Sequence, residues 1–426
     1  MAELVDALVS GTSGGNTVGV RVPFWALLCL ALAGCSRSIG ALPEQLSAQR
    51  AAPAAGAYRL LYSFAGYPSG SAPTGLAALG GRLYGTTING GTKTFGTVFV
   101  SSVSGRVRIL HSFRGGADGS GPLGTLVVLD GALYGTTEYG GSKGNGTVFE
   151  ITPSGTERVI YSFKGGSDGA TPVLVGMVVH AGQLYGTTNA GGNPRCHVEG
   201  IVGCGTVFAL TKSGKERVLY RFNGKRDGAC PAGALIDVNG TLYGTTNFGG
   251  IGNNGTVFKI SSAGRERVVY GFKGYPDGAV PYAGVTALGG AFYGTTAFGG
   301  AFNYSGTVFR LSASGSEQIL HSFKGYPDGA LPFGSLTIVN GMLYGTTEYG
   351  GSSSVGCASG GTTGCGTLFS VTISGTERVL YRFNGEPDGA SPWAGLTSNN
   401  GALYGTTLSG GASDAGSIFR YSTSSQ

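Results

Sequence analysis

Apolar and polar residues alternate in short runs along most of this chain, and turn residues bound each run. A period of two over four to eight residues predicts strands with at least one buried side. The runs come in fours. The first leads into a dipeptide: Gly80-Gly81, Asp130-Gly131, Asn239-Gly240, Gly289-Gly290, Asn340-Gly341 or Asn400-Gly401, with Ala181-Gly182 the weak copy. Such pairs supply the positive φ that a two-residue hairpin demands. The second run, "LYGTT" or a near copy, therefore pairs antiparallel with the first. The third is "GTVF" or kin. After a Ser-Gly or Ala-Gly turn the fourth reads "ERVLYSF" or kin.

Tyr84, Tyr134, Tyr185, Tyr243, Tyr293, Tyr344 and Tyr404 mark the copies, at spacings of 50, 51, 58, 50, 51 and 60 residues. Four antiparallel strands in about 50 residues predict one propeller blade. In "ERVIYSF", strict alternation puts Val159, Tyr161 and Phe163 on one side and Ile160 on the other. Apolar residues on both sides suit a sheet packed between two neighbours. Gly75, Gly176, Gly284 and Gly395, just before first runs, fit strands crowded near an axis. The order also starts out of phase: a fourth run, Tyr58–Phe64, opens it, and a third run, Gly416–Tyr421, closes it. The prediction is all-β, a seven-bladed β-propeller of four-stranded antiparallel blades over residues 58–426. Its N-terminal strand completes the last blade, which hides the edges an open array exposes. An open solenoid would need capping repeats, and none stands out.

The combination of "LYGTTxxGG", "GTVFxI" and "ERVLYxFxGxxDGAxP" resembles the GloVer tandem-repeat proteins, a bacterial exported family with varied anchors. The resemblance covers residues 58–421. It implies a surface β-propeller and carries over no established activity or site.

Composition sharpens this. Glycine contributes 83 residues, hydrophobic residues 41% and charged residues 12%, which describes a turn-rich globular chain and not a disordered one. The net charge of +6 comes without a Lys/Arg run, which excludes nucleic acid as a partner. After Arg21, "VPFWALLCLALAG" is too short to span a bilayer comfortably and fits the apolar core of a signal peptide. Leu32-Ala33-Gly34-Cys35 resembles a lipobox, which would make Cys35 the lipidated mature N-terminus and, with Ser36, favour the outer membrane. Ordinary cleavage without a lipid is the alternative. Residues 1–20, with Glu3 and Asp6, fit neither reading and suggest a misplaced start codon. Residues 36–57 read as a polar tether. The expectation is an exported monomer of the cell envelope, meeting the membrane only through a lipid anchor.

A residue present in every copy answers a structural need, so chemistry is sought where copies differ. The second-to-third and fourth-to-first connections vary, and they share one face of the predicted ring. Two are enlarged, and each holds C-x7-C directly before a third run: Cys196 with Cys204 and Cys357 with Cys365. In an exported chain these read as disulfides, each worth about 2.5 kcal/mol on the chain-entropy model; zinc is the rival. Cys230 is left over as a small buried hydrophobe. The repeated Asp168, Asp227, Asp277, Asp328 and Asp388, with Asp118 and Ser69 as variants, read as turn residues; a calcium ring is the alternative. His111 and His321 replace a strand tyrosine, and His180 and His197 stand apart. No catalytic residue, metal-ligand set or cofactor emerges. Glu138 and Glu348 are read as solvated loop carboxylates, with an acid/base pair as the rival. The residue after the loop proline is aromatic in the last three copies, Tyr282, Phe333 and Trp393. Phe248, Phe298 and Tyr349 extend that set, a candidate binding arc whose rival is simple packing. The functional reading is a non-enzymatic binding or scaffolding propeller for a surface glycan or protein. The alternative is a polysaccharide-active hydrolase or lyase using loop carboxylates.

Overall fold

The hairpins form where the turn dipeptides predict them. A computed structural model describes residues 57–172, 176–302, 304–352, 357 and 364–423. The signal peptide, Cys35 and nearly all of the tether lie outside the described residues. Blade 1 comprises Ser71–Leu79, Arg82–Asn89, Thr97–Ser102 and Val107–Ser112, each strand antiparallel to the next. Blades 2 to 6 repeat this order. Blade 7 takes Thr397–Asn399, Ala402–Thr407 and Ser417–Ser422 from the C-terminal end, and Tyr58–Ser63 supplies its outer strand. The closing register runs from Tyr58 opposite Tyr421 to Ser63 opposite Ser417. The protein is a seven-bladed β-propeller. Among the described residues no helix is long and apolar enough to cross a membrane.

Three details differ from the sequence pattern. Ala57, assigned to the tether, is buried, and its carbonyl accepts a hydrogen bond from Ser422 N. The first strands of blades 3 to 7 are short, such as Thr286–Leu288 and Thr397–Asn399. In addition, every outer strand carries a bulge. In blade 2, Val148 faces Tyr161 and Phe149 faces Val159, so Ile160 has no partner and strict alternation fails. The carbonyl of the skipped residue meets the next blade's third-to-fourth turn: an ideal Cβ on Gly214 would lie 2.4 Å from Ile160 O. A bulge adds twist at a sheet edge, which is what the outermost strand of a blade needs.

The core lies between blades. One buried cluster joins Tyr84, Val98 and Phe113 of blade 1 to Leu126, Leu133 and Phe149 of blade 2, and others straddle their junctions likewise. Seven Phe–Phe edge contacts, with centroids 5.1–5.2 Å apart, cross all seven junctions; Phe64 on Phe99 and Phe383 on Phe419 flank the closing blade. Such pairs contribute about 0.5–1.5 kcal/mol each beyond burial.

These contacts explain the repeated words. In "LYGTT" the glycine faces the phenylalanine of "GTVF" on the paired strand, as Gly135 faces Phe149. A Cβ there would meet the ring at 2.5 Å, so the missing side chain houses the aromatic one. The second threonine bonds the first residue of the third strand, as Thr137 bonds Thr147 at 2.8 Å. In blades 4 to 7 the first reaches the neighbouring blade: Thr245 Oγ1 donates to Ala283 O at 2.9 Å, Thr295 Oγ1 to Gly334 O at 3.2 Å, Thr346 Oγ1 to Ala394 O at 3.2 Å and Thr406 Oγ1 to Thr74 O at 2.9 Å.

The "GTVF" glycine opens the seam between blades. The loop proline of the following blade sits on it, so that a Cβ on Gly146 would stand 2.5 Å from both Pro172 Cδ and Thr137 O. Before that proline the backbone φ is positive in all seven copies, at Ala72, Gly121, Thr171, Cys230, Val280, Leu331 and Ser391. Each of these residues donates its N–H across the seam, as Thr171 does to Asn145 O at 2.9 Å and Ala72 to Ala415 O at 3.0 Å. Strain in β-branched Thr171 and Val280 is thereby held by a bond to the preceding blade.

Two outcomes follow. Gly146→Ala meets backbone as well as positive φ, whereas Gly131→Ala, also at positive φ, meets open space. Denaturant unfolding should therefore show Gly146→Ala costing about 1–3 kcal/mol more; equal costs would contradict the seam. Removing residues 58–64 should expose the third strand of blade 7 and give aggregation or a large fall in Tm. A stable monomer without that strand would contradict closure.

Candidate functional site

The variable connections do share one face. Gly192 N donates to Gly166 O at 2.7 Å and Gly300 N to Asp277 O at 2.6 Å, tying second-to-third loops to the fourth-to-first loops beside them. Cys196 and Cys204, and Cys357 and Cys365, form disulfides on this face, with Cα separations of 5.7 and 5.0 Å. They lie against Gly224 and Gly385, where Phe95, Asn145 and Asn254 lie against Gly115, Gly165 and Gly274 in other blades. Cys230 is a buried free thiol that burial pushes up to about 12.

Three rings of the aromatic set, Tyr282, Phe333 and Trp393, are brought together, and the set is not equally exposed. Tyr282 meets Phe333 edge-on at 4.9 Å, and Phe333 meets Trp393 at 6.2 Å. Tyr282, Phe248 and Tyr349 are buried, while Phe298, Phe333 and Trp393 are half-buried. Farther out on the same loops stand rings that the alternation pattern did not single out. Tyr275 is 61% exposed, Tyr304 58%, Tyr326 60% and Phe302 44%. Tyr275 and Tyr304 lie 6.2 Å apart, and Lys324 Nζ stands 5.1 Å from the Phe302 centroid. The recurrent "GYP" was the available signal. Exposed Arg114, Lys164, Lys225, Lys273 and Lys324 give successive fourth-to-first loops a basic rim. Glu386 breaks it in the last.

The repeated aspartates are turn residues. Asp168 Oδ2 accepts Lys164 N at 2.7 Å and Asp328 Oδ2 accepts Lys324 N at 3.1 Å; in the first copy Ser69 Oγ accepts Ala65 N. Each aspartate also meets the tyrosine position of its own outer strand. Tyr161 donates to Asp168 at 2.7 Å, Tyr220 to Asp227 at 3.0 Å and Tyr270 to Asp277 at 2.9 Å. The next blade adds the glutamate of "ER". Burial first, and the facing aspartate second, raise Glu216, Glu266 and Glu317 to about 7. At the closing blade Tyr58 replaces that glutamate: it donates to Asp388 at 2.6 Å and stacks on Tyr381 at 3.7 Å. Where blade 7 meets blade 1 the set becomes Tyr62, Ser69 and Val107, with no carboxylate at all.

Two junctions carry histidine instead, and here the structure assembles a group that the sequence did not. His111, Asp118 and Glu157 present ligand atoms within 4.8 Å of one another, and so do His321, Asp328 and Glu377. As packing substitutes for tyrosine these histidines do keep its bond to aspartate; the glutamate of the next blade, distant in sequence, completes a repeated His/carboxylate set. His180 pairs with Asp237 at 2.7 Å near a short hairpin, and His197 is exposed in the enlarged loop of blade 3. Glu138 and Glu348, read as solvated, are buried and half-buried, and burial raises Glu348 to about 7.

The model of the Gloeobacter/Verrucomicrobia repeat matches residues 48–202 and 196–359. The chain belongs to this repeat family. No curated protein sequence matches it. Among solved structures, a candidate 6-phosphogluconolactonase of Bacteroides uniformis aligns with TM-score 0.49 and 16% identity, over 76% of this chain and 88% of its own. A puromycin-hydrolysing peptidase of Mycobacterium tuberculosis aligns with TM-score 0.49 and 13% identity; 86% of this repeat protein is covered, spanning 56% of the peptidase. A luciferin-regenerating enzyme aligns with TM-score 0.42 and 13% identity, over 72% and 92%.

The carboxyl groups of the repeat make stability depend on pH. For Glu216, Glu266 and Glu317 the folded pKa lies above the unfolded value, so the folded state holds the proton more tightly. Their contribution is full below about pH 4.5 and is lost as pH rises through about 7. Tm should be lower at pH 8 than at pH 5, and the triple Glu→Gln variant should flatten that slope and melt higher than the parent at pH 8. An unchanged slope in the variant would contradict the assignment.

Proposed function

We propose that this repeat protein is an exported, non-enzymatic binding propeller whose variable-loop face holds an acidic polysaccharide. The observation that carries the reading is a set of exposed rings and lysines on neighbouring variable loops: Tyr275 lies against Tyr304, Lys324 stands over Phe302, and Tyr326 and Lys273 are exposed on the same loops. Flat rings pack against the apolar faces of sugars, and ammonium groups pair with their carboxylates. The aspartates of the same loops are tied into their turns, while the exposed ammonium groups of Lys273 and Lys324 stand 5.9 and 5.1 Å from the Tyr270 and Phe302 rings. Phe333 and Trp393 form the half-buried inner border of this surface. Two disulfides and membership of the repeat family support an extracytoplasmic setting, where disulfides persist. A lipid on Cys35 is the anchor we propose.

The enzymatic alternative keeps one observation, the raised carboxyl of Glu348, which suits a general acid. One experiment addresses both. Residues 57–426 are passed over insoluble polygalacturonate and over neutral cellulose, with release of reducing ends measured alongside. Retention on polygalacturonate that weakens at least tenfold in Tyr275→Ala/Tyr326→Ala and in Lys273→Ala/Lys324→Ala, at unchanged Tm and with no sugar released, is the expected result. Equal retention by every variant overturns the binding surface, and steady release of reducing ends overturns the non-enzymatic reading.

A further inference from the structure

At five of the seven junctions the outer strands of successive blades meet through one recurring triad, an aspartate and a glutamate with either tyrosine or histidine. Tyrosine donates one hydrogen bond and stays neutral at ordinary pH; imidazole offers a nitrogen lone pair. We propose that His111–Asp118–Glu157 and His321–Asp328–Glu377 are two binding sites for a divalent first-row transition ion of the Zn²⁺ class, each clamping one blade to the next.

The spacing already suits such an ion. His111 Nε2 lies 3.3 Å from Asp118 Oδ1 and 3.8 Å from Glu157 Oε2, and His321 Nε2 lies 3.0 Å from Asp328 Oδ2. Donors held about 2.0–2.2 Å from a tetrahedral ion stand roughly 3.4 Å from one another. The ion would enter with small side-chain shifts.

The groups are also sheltered and aimed. Side-chain exposure is 15% for His111, 19% for Asp118 and 8% for Glu157, and it is 16% for His321 and 12% for Asp328. Asp118 is fixed by Arg114 N at 2.7 Å and Asp328 by Lys324 N at 3.1 Å, the outer-shell support that orients a ligating carboxylate. Glu157 Oε1 and Glu377 Oε1 are buried with no hydrogen-bond partner, as are the Oε1 atoms of Glu216, Glu266 and Glu317 in the tyrosine triads, so what sets these two junctions apart is the imidazole. A buried acceptor without a donor is costly, and a cation satisfies it. One imidazole with two carboxylates is a set for zinc or manganese rather than for calcium, which prefers six to eight oxygens. The histidine and aspartate come from one blade and the glutamate from the next, so coordination cross-links the outer edge, and water fills the remaining position.

The remaining triads supply the control. Tyrosine occupies the histidine position at Tyr161, Tyr220 and Tyr270, in the same fold and with the same carboxylate partners, so His111→Tyr and His321→Tyr reproduce a junction the chain already builds. Chelator-stripped protein is titrated with Zn²⁺ by calorimetry, and Tm is read with and without the ion. Two ions per chain and a Zn²⁺-dependent rise in Tm are expected. Each single variant should bind one ion, and the double variant none, with its metal-free Tm close to that of the parent. Should a tyrosine variant fold poorly, Glu157→Gln and Glu377→Gln replace it, each expected to weaken its site at least tenfold. Two Co²⁺ ions giving the intense visible absorption of tetrahedral coordination would support the geometry. The proposal is overturned by a parent that binds no ion, or by a stoichiometry that does not fall as each histidine is lost.

Discussion

The approach of one blade to the next is set by a backbone contact that tolerates no Cβ. At the glycine opening each third strand, the neighbour's loop proline stands on bare backbone, 2.5 Å from where a Cβ would sit at Gly146. That proline fixes where the incoming chain descends toward the axis. The residue before it is forced to positive φ so that its N–H can face back across the seam. With the seam set, the Phe–Phe contacts fall at one common distance around the ring. Close packing leaves little freedom to adjust one junction independently of the rest.

A core made of seams has consequences for stability and function alike. No blade buries its own apolar faces, so each depends on two neighbours and the ring on its closing strand. Tyr58–Ser63 restores the ladder of blade 7 and brings Phe64 onto Phe99 and Tyr58 onto Asp388. The demands of the seam fix the inner strands. Freedom remains in the loops of one face, and there the copies diverge into disulfides, exposed rings and lysines.

The outer polar triads lie between these regimes. Their aspartate is held by local turn geometry, while its neighbours are chosen junction by junction: tyrosine or histidine from the same blade, and glutamate or tyrosine from the next. Two carboxylates facing each other across a half-buried junction raise the proton affinity of the pair, and an imidazole beside them turns a pH-sensitive contact into a candidate ion site. Sensitivity to protons thus sits where blades join, next to the variable loops.

The sequence by itself determined the repeat, the strand order within it, the hairpin turns, the number of blades and the out-of-phase start that closes the ring. Each rests on local chemistry: alternation, turn dipeptides and a count. It also placed both cysteine pairs, because eight-residue separations fit within single loops. Tertiary structure decided what joins residues from different copies. The bulge that skips Ile160 follows from the twist an outer strand needs, so alternation alone misassigned its faces. Tyr282 and Trp393 looked alike in their motif, yet packing buries the first and leaves the second half-exposed. Glu138 had the look of a loop carboxylate and is buried. The histidine triads were invisible for the same reason. His111 and Glu157 stand in successive copies, and only the packing of one blade's outer strand against the next brings imidazole and carboxylates within 4.8 Å.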